Sequence, residues 1–361
     1  MGGRRFGVEE ELLLVDAETG QATGVSRAVL DHQSGEGIDR ELQQEQVEVD
    51  TAPVRTLDDL RREVVRLRVE AAAAAERTGV RIAALATSPL TAAPTVTPDQ
   101  RYERMVELYR LTAAEQLTCG LHVHVETASA EEGVGVLDRI RPWLAVLLAL
   151  STNSPFWQGQ DTGYQSYRTQ AWSRWPAAGP TAVFGSVTGY RSMVASVLAT
   201  GTLLDEAMLY FHARLGRGLP TVEVRVADVC LYADDALLIA ALTRAMVDTA
   251  AREWQSGTPA PTVPTELLTL AAWRASRSGL GADLIDPRTN TPSPAWDVVV
   301  ALRRHVRDSL DEAGDGGPVD ALLDQLRRRG TGSDAQRAAY ARSGDLAAVV
   351  RDAVRRTTPA T

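Results

Sequence analysis

The sequence predicts an α+β fold in which helices flank a mostly antiparallel sheet. Strand-like and helical segments are mixed without the repeating βαβ order of a parallel sheet. Four strand-like segments alternate apolar and charged residues, as strands do when one face of an antiparallel sheet packs on the core. The absence of a G-x-G-x-x-G motif disfavours a dinucleotide-binding fold.

The size of the chain allows one large domain or two average ones, and the absence of a dividing segment favours one. The chain has 361 residues, of which 44% are hydrophobic and 24% charged, as is typical of a globular protein. No low-complexity linker or internal repeat divides it. We therefore expect residues 1–361 to form a single domain, with a helical C-terminal part from about residue 260 onward.

Short strands and helices are predicted for the first 150 residues. Thr56 is a suitable N-cap, and apolar residues at helical spacing follow it as far as Gly79. Further helices are predicted at 99–117 and 141–150. The predicted strands of this part are 6–15, 43–49, 80–85 and 119–126.

A long aromatic loop is predicted in the middle of the chain. Residues 151–185 are too aromatic for a disordered linker and too irregular for one element, so we expect an ordered functional loop. Helices are predicted at 186–209 and 234–254, on either side of a strand at 221–229. The last third is predicted to be helical, with breaks rich in Pro and Gly.

The charged residues exclude several classes of protein. A net charge of −9 disfavours nucleic acid and anionic membranes as partners. All 38 basic residues are arginine, so the chain lacks the lysine of a Walker-type P-loop, of a protein kinase or of Schiff-base chemistry. We expect small-molecule substrates instead, and a local arginine cluster would still allow an anionic one.

The cysteines and apolar segments predict an intracellular protein. Cys119 and Cys230 have no C-x-x-C spacing, which disfavours a disulfide framework or a cysteine-rich zinc site. We see no secretory hydrophobic segment near the amino terminus, and the longest apolar run, at 143–150, is too short to span a bilayer. We therefore expect no membrane contact and a cytoplasmic location.

Four predicted strands carry an unusual set of charged residues on one face. Side chains two residues apart in a strand point to the same side, so each strand has one apolar and one charged face. A solvent-exposed face would explain any single strand, but four strands with the same bias toward Glu and His indicate a functional face. Its charged residues are Glu9, Glu11, Glu48, Asp50, His122, His124, Glu126, Glu223 and Arg225.

The residue types on this face indicate a divalent cation site. Carboxylates gathered on one face repel each other unless cations neutralise them. Oxygen-rich ligand sets suit Mg²⁺ or Mn²⁺, which commonly bridge nucleotide phosphates. A metal-dependent hydrolase using His122 and His124 is the alternative. It is disfavoured because carboxylates far outnumber histidines and because Arg225 is better suited to phosphate or carboxylate binding.

Six motifs occur in an order that resembles a known family. They are Gly-Val-Glu-Glu-Glu at 7–11, Val-Glu-Val-Asp-Thr-Ala-Pro at 47–53, Cys-Gly-Leu-His-Val-His-Val at 119–125, Asn-Ser-Pro-Phe-Trp-Gln-Gly at 153–159, Asp-Thr-Gly-Tyr-Gln-Ser-Tyr-Arg at 161–168 and Thr-Val-Glu-Val-Arg-Val-Ala-Asp at 221–228. Together they resemble the carboxylate–amine ligase family of glutamate–cysteine ligase type 2. The resemblance covers nearly the whole chain.

The resemblance implies a fold like that of glutamine synthetase and the guanidino kinases, in which a curved antiparallel sheet holds Mg²⁺–ATP. It implies that a carboxylate, with glutamate as the first candidate, attacks the γ-phosphate of ATP to give an acyl phosphate and ADP. An amine, with cysteine as the first candidate, then displaces phosphate. By the family pattern, the ligands of Mg²⁺ or of its bound water are Glu9, Glu11, Glu48, His122 and Glu223.

Arginines of the same motifs are candidates for contacting substrates. Arg225 is expected to contact phosphate, and Arg168 is a second catalytic candidate. Arg174 and Arg277 are candidates for nucleotide binding, for which surface positions are the alternative. His124 is expected either to orient a ligand residue or to be a ligand itself.

The chain departs from the family pattern at two places. Ala-Thr-Ser-Pro at 86–89 stands where a Gly-Thr-His-Pro-like segment is common, and Phe-His-Ala-Arg at 211–214 replaces an aspartate-bearing segment. Both differences bear on the amino-acid pocket. A non-catalytic nucleotide-binding relative is a further alternative, and homo-oligomerisation is a family-level expectation.

Overall fold

The computed structural model describes residues 3–358 as a mixture of strands and helices. The strands are β1 (Phe6–Asp16), β2 (Ile38–Arg40), β3 (Gln46–Asp50), β4 (Val80–Ala83), β5 (Gly120–Glu126), β6 (Phe156–Trp157), β7 (Gln160–Asp161), β8 (Ala213–Leu215), β9 (Thr221–Asp228), β10 (Leu284–Asp286) and β11 (Thr291–Ser293). The helices are α1 (Ser26–Leu30), α2 (Leu57–Glu76), α3 (Gln100–Tyr109), α4 (Leu111–Ala114), α5 (Ala130–Ile140), α6 (Leu144–Ser151), α7 (Tyr167–Trp172), α8 (Val187–Ala199), α9 (Ala233–Gln255), α10 (Thr265–Ser278), α11 (Ala295–His305), α12 (Arg307–Ala313), α13 (Gly316–Arg329), α14 (Gly332–Ser343) and α15 (Leu346–Thr357). Residues 1, 2 and 359–361, which the single-domain prediction also includes, lie outside the described residues.

One large sheet organises the fold. Its strands follow the order β2-β3-β1-β5-β9-β8, and β4 pairs with the last residues of β1. All of these pairings are antiparallel, and β1 pairs with β3, β4 and β5. The predicted α+β fold with a mostly antiparallel sheet is therefore confirmed.

The apolar face of the sheet packs against helices. In β5 and β9 the valines and leucines that alternate with charged residues are almost completely buried, for example Leu121, Val123 and Val224. They join one cluster with the apolar residues of α5, α6 and α9. Burial of each such side chain contributes about 1.5–3 kcal/mol relative to exposure. The opposite face of these strands is thereby left to the charged side chains.

A buried ion pair interrupts the apolar face of β1. Glu10 is 1% exposed, and the fully buried Arg68 of α2 donates to both of its oxygens at 2.8 and 2.6 Å. The same guanidinium donates to the carbonyls of Cys230 and Thr357. This network connects β1 with α2, with the segment between β9 and α9, and with α15.

Most predicted elements occur within a few residues of their expected positions. Thr56 accepts a hydrogen bond from the N–H of Asp59 and caps α2, as predicted. The aromatic loop at 151–185 contains the hairpin of β6 and β7 and the short helix α7. Between 265 and 357 the chain is helical except for the hairpin of β10 and β11. No helix among residues 3–358 is long and apolar enough to cross a membrane.

Two predicted helices are shorter than expected, and several short elements were not predicted, among them β2, β8 and α5. The helix predicted at 99–117 is interrupted at Arg110, whose φ of 50° is incompatible with a continuous helix. The helix predicted at 186–209 ends at Ala199, shortly before Gly201 with a φ of 68°. The strands β2 and β8 have three residues each, too few to show alternation, and α5 contains two glycines that weaken its helical pattern.

Replacement of Arg68 by methionine should destabilise the fold strongly. Glu10 would remain buried without a partner, and the free energy of unfolding should fall by about 3–5 kcal/mol in urea denaturation. As a control, Arg62→Met removes an exposed arginine that pairs with Asp59 and should cost less than about 1 kcal/mol. If Arg68→Met lowered the free energy of unfolding no more than the control does, this result would contradict the structural role of the Glu10–Arg68 pair.

Candidate active site

Antiparallel pairing brings the predicted charged residues opposite one another. Because alternate residues of a strand share a face, these side chains project from the face opposite the apolar core. The sheet register therefore assembles residues that are up to two hundred positions apart in the sequence. The opposed pairs are Glu9–Asp50, Glu9–His122, Glu11–Glu48 and His124–Glu223.

A cavity of about 220 Å³ opens on this charged face, and we call it the acidic cavity. The structure brings five of the predicted site residues to its wall: Glu9, Glu11, Glu48, His122 and Arg225. Residues from loops, helices and the strands β3 and β8 complete the wall. They are Glu41, Leu42, Gln46, Arg101, Tyr102, Met105, Gln116, Thr118, Trp172, Trp175, Ala207, Tyr210 and Arg214.

Three overlapping groups of side chains on this face could hold a cation. In each group, one possible ligand atom of every residue lies within 4.8 Å of the others. Each group contains at least two carboxylates and at most one imidazole, a donor set that fits Mg²⁺ or Mn²⁺ better than zinc. His122 and His124 fall in different groups, which disfavours the hydrolase alternative. The groups are Glu9–Glu48–His122, Glu9–His124–Glu223 and Glu11–Glu41–Glu48.

The carboxyl groups near β3 resist ionisation. Burial, together with the charge of Glu11, raises the pKa of Glu41 to about 7. Burial, with the charges of Glu41 and Glu9, raises the pKa of Glu48 well above its usual value. Burial and the charge of Glu9 raise the pKa of Asp50 to about 7. A cation among these groups would favour their ionised forms.

Glu9 interacts with both histidines of β5. Its Oε2 lies 2.9 Å from His122 Nδ1, and its Oε1 lies 2.8 Å from His124 Nε2. Burial opposes ionisation of Glu9, but the hydrogen bonds and charges of the two histidines outweigh it and lower its pKa. Burial and the charge of Arg225 lower the pKa of His122, which is therefore neutral near pH 7 and able to bind a cation.

Glu223 is held between two arginines. Arg214 donates from Nε to Oε2 at 2.7 Å, and Nη1 of Arg225 donates to Oε1. Burial opposes ionisation of Glu223, but the charges of Arg225 and Arg214 outweigh it and lower its pKa to about 2. Within residues 3–358, neither Glu48 nor Glu41 has an arginine ion pair of this kind. The carboxylates on the β3 side are thus the ones that most need a cation.

The other predicted arginines lie in different places. Arg168 is 2% exposed and lines, with Arg225, a second cavity of about 190 Å³ that we call the arginine cavity. Arg174 pairs with Glu115 at 2.8 Å, and Arg277 donates to a backbone carbonyl of the aromatic loop. Neither Arg174 nor Arg277 lines either cavity, and their contact with nucleotide stays a prediction. The other residues of the arginine cavity are Thr169, Gln170, Trp172, Ser173, Ala178, Gly179, Pro180, Phe211, His212, Val226, Thr269, Ala272 and Trp273.

Several residues of the acidic cavity were not predicted as site residues. Glu41 precedes β3 in a segment without alternation, and Arg214 lies in the three-residue strand β8. Neither position carries a local signal, because its closeness to the charged face arises only from strand pairing. Trp172 and Trp175 come from the aromatic loop, for which the sequence predicted a functional role without naming these residues.

The sequence matches one protein family over nearly its whole length. The sequence model of glutamate-cysteine ligase family 2 matches residues 5–354. The chain belongs to glutamate-cysteine ligase family 2. A member from Paenarthrobacter aurescens, provisionally named glutamate–cysteine ligase 2-1, is 50% identical over 364 residues, which cover 98% of this chain and 95% of that one. A Streptomyces coelicolor member, provisionally named glutamate–cysteine ligase 2, is 50% identical over 359 residues, which cover 98% and 99%.

A solved structure with a much lower sequence identity to this chain has the same fold. The glutamate–cysteine ligase of Francisella tularensis, solved in complex with AMP, superimposes with a TM-score of 0.72 at 15% identity. The match covers 99% of this family 2 chain and 89% of the Francisella chain. At this identity the likeness concerns the fold alone, and it agrees with the fold class predicted from the sequence.

The raised pKa values of Glu41 and Glu48 predict a pH-dependent stability. The folded chain holds these protons more tightly than the unfolded chain, so the metal-free protein should lose stability as the pH rises from about 4.5 toward 7. Glu48→Gln removes one of the carboxyl groups and should therefore raise the melting temperature at pH 7.5 more than at pH 5.

Addition of Mg²⁺ provides the matching control for this experiment. At pH 7.5 it should raise the melting temperature of the wild type clearly and that of Glu48→Gln much less, because the variant lacks a cation ligand. A Glu48→Gln variant that is destabilised at pH 7.5, or that responds to Mg²⁺ like the wild type, would refute this assignment.

Proposed function

We propose that this chain is an ATP- and Mg²⁺-dependent carboxylate–amine ligase of the glutamate–cysteine ligase type. The donor carboxylate would be activated as an acyl phosphate, with glutamate as the first candidate donor and cysteine as the first candidate amine. The observation that carries the proposal is the acidic cavity, where the Glu9–Glu48–His122 and Glu11–Glu41–Glu48 groups lie beside Arg225 on one sheet face. Membership in glutamate-cysteine ligase family 2 supports the same chemistry.

The side chains of the three overlapping groups would hold Mg²⁺ or Mn²⁺. A cation bound there would neutralise the phosphates of ATP and stabilise the charge that develops during phosphoryl transfer. Glu9 and Glu48 each belong to two groups, so the arrangement suits more than one ion. The raised pKa values of Glu48 and Glu41 support this role, since a carboxyl that is costly to ionise alone gains most from a nearby cation.

The protein's own residues would position the reactants and exclude water. Phosphoryl transfer requires alignment and charge neutralisation more than a protein nucleophile. Arg225 lines the acidic cavity and is fixed by Glu223, so it is placed to contact the transferred phosphoryl group. The rings of Trp172, Trp175 and Tyr210 form part of the wall and would shield an acyl phosphate from hydrolysis.

The remaining expectations belong to the same proposal. We propose that the whole chain forms one catalytic unit that acts in the cytoplasm on small molecules, without nucleic acid or membrane, and that it associates into a homo-oligomer. Arg168 is kept as a second catalytic residue because it is buried beside the arginine cavity. Arg174 and Arg277 could reach a nucleotide in the acidic cavity only after movement of their segments, since neither lines it.

A coupled ADP-release screen of amino-acid pairs tests the reaction. With Mg²⁺ and ATP, L-glutamate and L-cysteine together should yield ADP, phosphate and an amide in equal amounts. Omission of either amino acid or of Mg²⁺ should return the rate to background. No ADP from any pair of standard amino acids would count against the ligase. In that case, ATP-dependent stabilisation without turnover would indicate the non-catalytic alternative, and hydrolysis without ATP would indicate the metal-dependent hydrolase.

The Arg225→Lys variant tests the phosphate contact in the active enzyme. A lysine keeps the charge but cannot make the planar bidentate contact, so kcat should fall by about 10²-fold or more. The same exchange at Arg288, which is 54% exposed and pairs with Asp286, should leave kcat unchanged. Wild-type kcat in Arg225→Lys would show that this guanidinium has no part in the reaction.

A further inference from the structure

The arginine cavity and the acidic cavity share a wall. Arg225 and Trp172 line both of them. Among residues 3–358, no acidic residue lines the arginine cavity, and the three groups that could hold a cation do not contribute to it. A cavity that would favour an anionic ligand therefore lies one side chain away from a cavity that would favour cations.

Arg168 is a buried cation that lies over the ring of Trp172 but has no ion-pair partner within residues 3–358. It is 2% exposed, and its guanidinium donates no hydrogen bond to any residue within 3–358. The buried arginines Arg68 and Arg244, in contrast, are each paired with a carboxylate. The Nε atom of Arg225, at the same cavity, also lacks a partner in the described part of the chain. Because an unpaired buried charge is costly, Arg168 is suited to an anionic ligand.

The surrounding chain fixes Arg168 at this position. Asp228, which is fully buried, accepts hydrogen bonds from the hydroxyls of Ser154 at 2.7 Å and Ser166 at 2.8 Å. Ser166 caps the helix that carries Arg168, and the backbone N–H of Arg168 donates to the hydroxyl of Ser154 at 3.0 Å. A side chain at Gly120 would overlap the guanidinium. Four of the six sequence motifs thus meet at Arg168.

We infer that the arginine cavity binds the amine substrate, and that this substrate is a small amino acid whose carboxylate is held by Arg168 and Arg225. The inference rests on the proposed ligase function. The carboxylate that reacts has to lie in the acidic cavity, because two of the three groups suited to Mg²⁺ line that cavity. The adjoining arginine cavity is then the place from which the amine attacks.

The chemistry of the cavity suits an attacking amine that carries a carboxylate. Guanidinium groups bind carboxylates with charge-assisted and often bidentate hydrogen bonds. The rings of Trp172, Phe211 and Trp273 supply apolar walls for a short side chain. An amine held near two guanidinium groups, in a cavity that no carboxyl group of the described residues lines, loses its proton more readily, because like charges disfavour its ammonium form. The neutral form is the one that can attack.

The bond changes require no further reactant. The amine nitrogen forms a bond to the acyl carbon, the bond from that carbon to the phosphate oxygen breaks, and phosphate leaves with the electron pair of that bond. The nitrogen releases its remaining extra proton to water. Arg225, which lines both cavities, is placed beside the phosphate on one side and the acceptor carboxylate on the other.

Calorimetric titration with L-cysteine and cysteamine tests this assignment in the full chain with Mg²⁺ and a non-hydrolysable ATP analogue. Cysteamine lacks only the carboxylate of cysteine. The wild type should bind L-cysteine on the order of 10- to 100-fold more tightly than cysteamine, because hydrogen bonds between charged groups contribute a binding free energy of this size. Arg168→Met should lower the affinity for L-cysteine to that for cysteamine and leave the affinity for cysteamine unchanged.

Two further variants complete the design. Gly120→Ala keeps Arg168 but displaces its guanidinium, and it should also abolish the preference for L-cysteine. Since the added methyl group meets only the flexible end of a side chain, this variant should fold even if Arg168→Met does not. Arg191→Met, the same exchange at an exposed position of α8, should keep the wild-type preference.

Equal affinity of the wild type for L-cysteine and cysteamine would overturn the inference. It would also be overturned if Arg168→Met lowered the affinities for both ligands by the same factor. Retention of the preference in both Arg168→Met and Gly120→Ala would overturn it as well. The titration does not depend on turnover. If no amino-acid pair releases ADP, the ligase proposal fails, whereas the titration still decides whether Arg168 holds a carboxylate.

Discussion

The register of β1 between β3 and β5 is the constraint on which the rest of the structure depends. Three consecutive glutamates of β1 point alternately to the two faces of the sheet. Glu10 enters the core and pairs with Arg68, while Glu9 and Glu11 face the acidic cavity. A shift of one residue would place two carboxylates in the apolar core and remove both from the site. The ion pair in the core and the carboxylates of the site therefore depend on the same register.

Charge is balanced differently along the charged face of the sheet. On the side of β8 and β9, arginines neutralise Glu223, and its pKa lies near 2. In the centre, two histidines stabilise the ionised form of Glu9. On the side of β3, Glu41 and Glu48 repel each other and have raised pKa values. Under the proposed function, this gradient would direct cations, and with them the phosphates of ATP, toward β3 and the carboxylate of the amine substrate toward β9.

Alternation in the sequence was sufficient to predict the sheet face but not its neighbours. Glu9, Glu11, Glu48 and His122 could be assigned to one face because side chains two residues apart share a side, and the structure brings them to one cavity. Glu41 could not, because it lies in an irregular segment that approaches Glu11 only after β3 pairs with β1. Contacts between residues far apart in the sequence could not be predicted from alternation either. Nothing near Arg68 or Glu10 in the sequence indicates that they form a pair 58 residues apart.

Two side chains of opposite charge type, Arg168 and Glu48, line adjoining cavities of this fold without pairing with each other. Arg168 has no ion-pair partner among the described residues, and Glu48 has no arginine, although Arg225 lines the cavities of both. If their backbones were free to move, an ion pair would be the more favourable arrangement. Glu48 is fixed by strand pairing, and Arg168 is fixed by the hydrogen bonds of Ser154 and Asp228. The rigid core thus offsets the cost of holding both charges apart, and ligands that supply the missing partners would bind a site whose geometry is already in place.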